Sequence, residues 1–116
     1  MKLFLTLLFS ISLLISAPCS AASSNVDKSR EVAHKCIDEN VVQFDDGVTD
    51  PDVVGEVVYN RCRSEIQEFL KSICELKGAS ELACNNMISL VDSDRKYMNK
   101  FTLPSILWYR THIKNK

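Results

Sequence analysis

The chain has 116 residues, 15 acidic against 14 basic side chains and a formal net charge of −1. That balance argues against a strongly basic nucleic-acid binder, and the length limits the chain to one small domain. Three glycines and five cysteines make it poor in flexible loops and rich in candidate cross-links.

Met1-Lys2 supplies one positive charge, and Leu3 to Ala17 form an apolar run broken only by Thr6, Ser10, Ser12 and Ser16. Pro18-Cys19-Ser20-Ala21-Ala22 then supplies small residues. This is the layout of a secretory signal, and the run is shorter than the ~20 residues of a membrane span. No Lys/Arg cluster follows it, which argues against an uncleaved anchor. Pro18 stands where a lipid-modified Cys19 would follow Gly or Ala. We therefore expect residues 1–22 to be a cleaved signal peptide and 23–116 a single helical domain in the periplasm or secreted. Cleavage after Ala21 or Ala22 removes Cys19 and leaves four cysteines, an even count that suits two disulfides in an oxidising space.

The first helix is expected over Ser29 to Phe44, with Val32, Ala33, Cys36, Ile37, Val41 and Phe44 on one face. An acidic turn follows, Asp45-Asp46-Gly47-Val48-Thr49-Asp50. Asp50 is a good N-cap, Pro51 loses no needed N–H at the first helical position, and Asp52 favours the positive end of the dipole. The second helix then carries Val54, Val58, Cys62, Ile66, Phe69 and Ile73 as far as Gly78, its expected stop. Ser80 caps a third helix whose face is Ala83, Cys84, Met87, Leu90, Val91, Met98 and Phe101, interrupted by Asp92-Ser93-Asp94-Arg95. Thr102-Leu103-Pro104 restarts the chain, and Ser105 to Ile113 form a short fourth helix or lid. The fold class is all-α: a small disulfide-stapled antiparallel three-helix bundle with a C-terminal helix.

Helix geometry then selects the cysteine pairing. Cys62 and Cys74 are about 18 Å apart on one helix, whereas a disulfide needs Cα atoms within ~7 Å. In a hairpin turning near Thr49, Cys36 is level with Cys62, and Cys74 lies about 18 Å further on. The remaining pairs are Cys36–Cys62 and Cys74–Cys84, centred on the two predicted turns.

No motif names a reaction. A calcium loop with Gly47 at its sixth position would need Val42 as first ligand, which Val cannot be. His34 and Cys36 form no metal or nucleophile site once the cysteine is in a disulfide, and His112 stands alone. No catalytic residue, metal or cofactor is therefore expected.

Charge is uneven along the chain. Asp27 to Glu81 hold thirteen acids against seven bases, and from Asp92 onward two acids meet six bases. The basic end carries Tyr97, Phe101, Trp108, Tyr109 and His112. Trp and Tyr favour interfaces, so Trp108 and Tyr109 form one candidate contact surface and Asp45, Asp46 and Asp52 a second, of opposite charge. The expected function is a non-enzymatic protein-binding module, in its most concrete form an immunity or inhibitor protein against an envelope-targeting enzyme. A small apolar-ligand carrier with a cavity lined by Val58, Phe69, Met87 and Met98 is the rival, as is an envelope-surface binder making peripheral membrane contact. A monomer or weak homodimer with an unidentified protein partner, and no nucleic acid, completes the expectation; Val41, Val53, Val57, Leu103 and Trp108 would supply the dimer patch.

Overall fold

The computed structural model describes residues 17–114. Most of the expected signal peptide, residues 1–16, lies outside the described residues. Five helices follow in chain order: α1 (Ala17–Phe44), α2 (Pro51–Arg61), α3 (Arg63–Leu76), α4 (Glu81–Ser93) and α5 (Arg95–Tyr109). A π-helical turn, Arg110–Lys114, ends the described chain. The class is all-α, and α2 packs against α5 while α1 lies across α2, α3 and α5.

α1 begins twelve residues before the expected Ser29 (29 − 17 = 12). Pro18 sits in its first turn, where a missing N–H is harmless, and no further Pro or Gly occurs before Gly47. Ala33, Ile37 and Val41 are its buried stripe, whereas Val32 and Phe44 are turned to solvent.

The predicted second helix is two helices, because the chain bends at Cys62 (φ −107°, ψ 16°). The physical reason lies in the spacing. Buried positions recur every fourth residue at Val54, Val58, Cys62, Ile66, Leu70 and Cys74. At about 100° per residue, five such steps drift by about 200°, so one straight helix could not keep them all on one face. The bend lets α2 lie on α5 while α3 lies on α1. Leu70 and Cys74 therefore take the fully buried places expected of Phe69 and Ile73, which are half-buried.

A second break separates α4 from α5 at Asp94, in extended conformation (φ −130°, ψ 116°). Its carboxylate accepts the Lys96 N–H at 2.9 Å and caps α5. The expected restart at Thr102-Leu103-Pro104 does not occur. Pro104 sits inside α5, where it deprives the Lys100 carbonyl of its helical donor. Pro104 and Lys100 are both exposed, so water can serve that carbonyl. The predicted short helix is thus the end of α5 plus the π-turn.

Cys36–Cys62 and Cys74–Cys84 are bonded, each with Cα atoms 5.8 Å apart. The core is continuous from Ala33, Ile37 and Val41 through Val58, Tyr59 and Ile66 to Met98 and Ile106. Val58 and Met98 are buried in it, with Phe69 and Met87 packed against it.

The α2–α5 seam is tight at Gly55 and carries polar atoms. A Cβ added at Gly55 would lie 2.6 Å from Asn99 Oδ1 and 2.7 Å from Thr102 Oγ1. Both oxygens are buried without a hydrogen-bond partner. Only a residue lacking Cβ fits there.

Candidate functional site

The acidic turn and the aromatic tail meet in space. The last turn of α1 ends with the Asp45 N–H donating to the Val41 carbonyl at 2.9 Å, which directs the Asp45 side chain inward. Arg110 reaches it from the π-turn, with Nη2 2.7 Å and Nε 3.1 Å from Oδ1. Arg110 also donates to the Thr49 carbonyl at 2.5 Å, and Lys114 donates to the Asp45 carbonyl. Two cations thus sit at the C-terminal, negative end of α1. The Asp45 side chain is fully buried and that of Arg110 is 16% exposed. The guanidinium hydrogen bond holds the Asp45 carboxyl below its ordinary range, overcoming burial, which acts the other way.

This corrects the expectation for Asp45, which is sealed beneath Arg110 and unavailable to a partner. Asp46 remains exposed, but its carboxylate accepts the Val48 and Thr49 amides at 2.9 and 2.7 Å and the Thr49 hydroxyl at 2.5 Å. Those donors, the Thr49 hydroxyl first, hold its carboxyl well below the usual carboxylate range. Asp52, also exposed, accepts the Asn99 amide at 3.2 Å and so aims Asn99 Oδ1 into the seam. The three acids are assigned to turn, clamp and seam rather than to one open patch.

The other candidate surface is open. Trp108 is 56% exposed, while Tyr109 is half-buried against the core. The indole stacks on His112 at 4.7 Å between ring centroids, and His112 Nδ1 lies 3.0 Å from the Trp108 carbonyl oxygen. Beside them α1 and α5 bound an open cleft of about 420 Å³. Val41, Ser105 and Tyr109 form its inner part; His34, Asp38, Val42, Pro104 and Trp108 stand at its exposed edge. A second cleft, of about 510 Å³ between α1 and α3, is lined by polar and charged residues including Lys28, Glu65, Glu68 and Lys71.

The sequence reading missed His34, Asp38 and Val42 as neighbours of Trp108, and Arg110 as the partner of Asp45. A signal for the first three was present: they recur at four-residue intervals, on the row beside the Ala33–Ile37–Val41 stripe. A further, half-buried network centres on Asp92. The Tyr59 hydroxyl donates to Asp92 at 2.6 Å, Gln67 donates to the other oxygen at 2.6 Å, and Arg63 stands 3.8 Å away. Burial, then Asp92, pushes ionisation of the Tyr59 phenol above its ordinary range.

Among the described residues no three His, Cys, Asp or Glu side chains are grouped to hold a metal, and no helix is long and apolar enough to cross a membrane. No protein-family model, curated protein or solved structure matches the chain.

Proposed function

We propose that this chain is an exported, non-enzymatic module that binds another protein along the α1–α5 cleft. The observation that carries the reading is Trp108, a large aromatic left 56% exposed at the edge of a cleft of about 420 Å³. An exposed tryptophan over a concavity is the kind of anchor that dominates protein interfaces. The surroundings hold it in place: His112 stacks on it, and Arg110, two residues on, is fixed to the buried Asp45. Such preorganisation lowers the ordering cost of binding. Two disulfides in so small a domain suit an oxidising compartment, periplasmic or extracellular. An immunity or inhibitor protein acting on an envelope-targeting enzyme is the concrete form we propose, since such a role asks for a rigid surface and no chemistry of its own.

The test is affinity capture from envelope extract by immobilised residues 23–116, followed by quantitative binding to the protein recovered. Trp108→Ala should weaken that complex by about 2 kcal/mol or more, roughly thirtyfold, the usual size of an aromatic hot spot. Equal binding by wild type and Trp108→Ala, with helicity intact, would remove the docking surface.

A further inference from the structure

We infer that the α1–α5 cleft takes an arginine side chain flanked by apolar residues on the partner protein. This rests on the docking reading and specifies what enters the site.

Of the residues lining the cleft, Asp38 is the one carboxylate, and no lysine or arginine stands among them. The cations closest in sequence to Trp108 and Tyr109 are engaged elsewhere. Arg110 is bound to Asp45 and Thr49, and Lys114 to the Asp45 carbonyl. Among the described residues Asp38 makes no ion pair; the four observed use Asp27, Asp92, Glu56 and Asp45. The cleft therefore offers an unpaired negative charge beside apolar and aromatic surface. Val42 is 60% exposed and Trp108 56%, while Val41 and Tyr109 form the interior.

A purely apolar occupant would bring nothing to Asp38 and would bury part of its charge without a partner, which is costly. An acidic occupant would meet like charge. A planar guanidinium matches both features, since it stacks on an aromatic face and donates a fork of N–H groups to a carboxylate. Lysine satisfies the charge but not the stacking. The flanking residues would cover Val42 and Pro104 and exclude water from the pair.

The probes are Nα-acetyl-L-arginine amide, the lysine amide and the leucine amide, each titrated into the 15N-labelled protein. The readout is the indole N–H of Trp108, the chain's one tryptophan. Arginine amide should shift that resonance and saturate in the millimolar range, with lysine amide binding less tightly and leucine amide weakest. Asp38→Asn should weaken arginine amide about fivefold or more, as loss of a charge-assisted hydrogen bond requires. Asp38 and Trp108 are exposed, so both variants should keep their helices, checked by circular dichroism.

No shift with arginine amide up to tens of millimolar would overturn the inference. Equal response to leucine amide, or an unchanged Asp38→Asn titration, would do the same. Failure here and failure of docking are separable. A partner lost by Trp108→Ala but bound normally by Asp38→Asn leaves docking standing and removes the arginine. A partner bound normally by Trp108→Ala removes the docking surface itself.

Discussion

Replacing Gly55 by alanine tests the α2–α5 seam directly. On helix propensity alone the change should stabilise α2 by up to about 1 kcal/mol, since Gly is the poorer helix former. The seam opposes this. The new methyl would stand 2.6 Å from Asn99 Oδ1 and 2.7 Å from Thr102 Oγ1. Carbon–oxygen contacts between packed elements settle near 3.3 Å or beyond, so the helices must part by about 0.7 Å. Both oxygens belong to buried side chains on α5, and neither is the free end of a long flexible chain. Overpacking of this kind costs about 1–3 kcal/mol. Parting the helices also strains the 3.2 Å hydrogen bond from Asn99 to Asp52, worth about 1 kcal/mol. The net expectation is destabilisation by about 1–3 kcal/mol, a fall of very roughly 5–20 °C in Tm for a domain of this size. Thermal and urea unfolding followed by far-ultraviolet circular dichroism measure it. Thr102→Ala in the Gly55→Ala background should recover part of the loss, with a coupling of at least about 0.5 kcal/mol. A neutral or stabilising Gly55→Ala would refute the reasoning, because propensity would then have decided the outcome at a seam that is not tight.

The two disulfides should differ in weight. Chain entropy gives about 3.5 kcal/mol for the 26-residue separation of Cys36–Cys62 and about 2.7 kcal/mol for the 10-residue separation of Cys74–Cys84, so the paired alanine variants should unfold in that order. Arg110→Ala strands the buried Asp45 carboxylate and should cost about 3 kcal/mol in urea unfolding, more than Asp45→Asn. Because the folded carboxyl of Asp45 titrates below its ordinary value, its contribution is complete above about pH 4 and is lost as pH falls through the lowered value; Asp45→Asn should flatten that acid limb. The buried Tyr59 phenol behaves oppositely. Its raised ionisation stabilises the fold fully below about pH 10 and loses that contribution as pH rises further, so Tyr59→Phe should flatten the alkaline limb and cost about 1–2 kcal/mol at neutral pH.

Sequence reading located what local rules govern. The cap at Asp50, Pro51 at the head of α2 and Ser80 before α4 all stand where capping chemistry places them. Mirror spacing of the cysteines about two turns was enough for the pairing. It failed where a helix answers to two different neighbours. The expected stripe steps back to Phe69 and Ile73 to stay on one face, whereas burial continues in four-residue steps to Leu70 and Cys74, and the bend at Cys62 turns that drift toward a second partner. Pro104 misled because an interior proline usually breaks or kinks a helix, whereas here Lys100, whose carbonyl loses its donor, is exposed and water can serve it. The site was legible by residue type and illegible by geometry. Trp108 reads as a contact surface because tryptophan and tyrosine favour interfaces. Asp45 was assigned to the same kind of role because nothing local shows that Arg110, 65 residues later, covers it.

The covalent connections of the bundle are unevenly distributed. Cys36–Cys62 holds α1 to the bend after α2, and Cys74–Cys84 holds α3 to α4, while α5 is held by packing, the seam at Gly55 and the clamp on Asp45. The helix that carries Trp108 is thus held by non-covalent contacts alone, and amide exchange of α5 against α1 and α3 measures how firmly. Oxidation fixes a scaffold of four helices and leaves the fifth to packing. A partner that grips Trp108 would add its binding free energy to that packing, so the complex should melt at a higher temperature than the free protein.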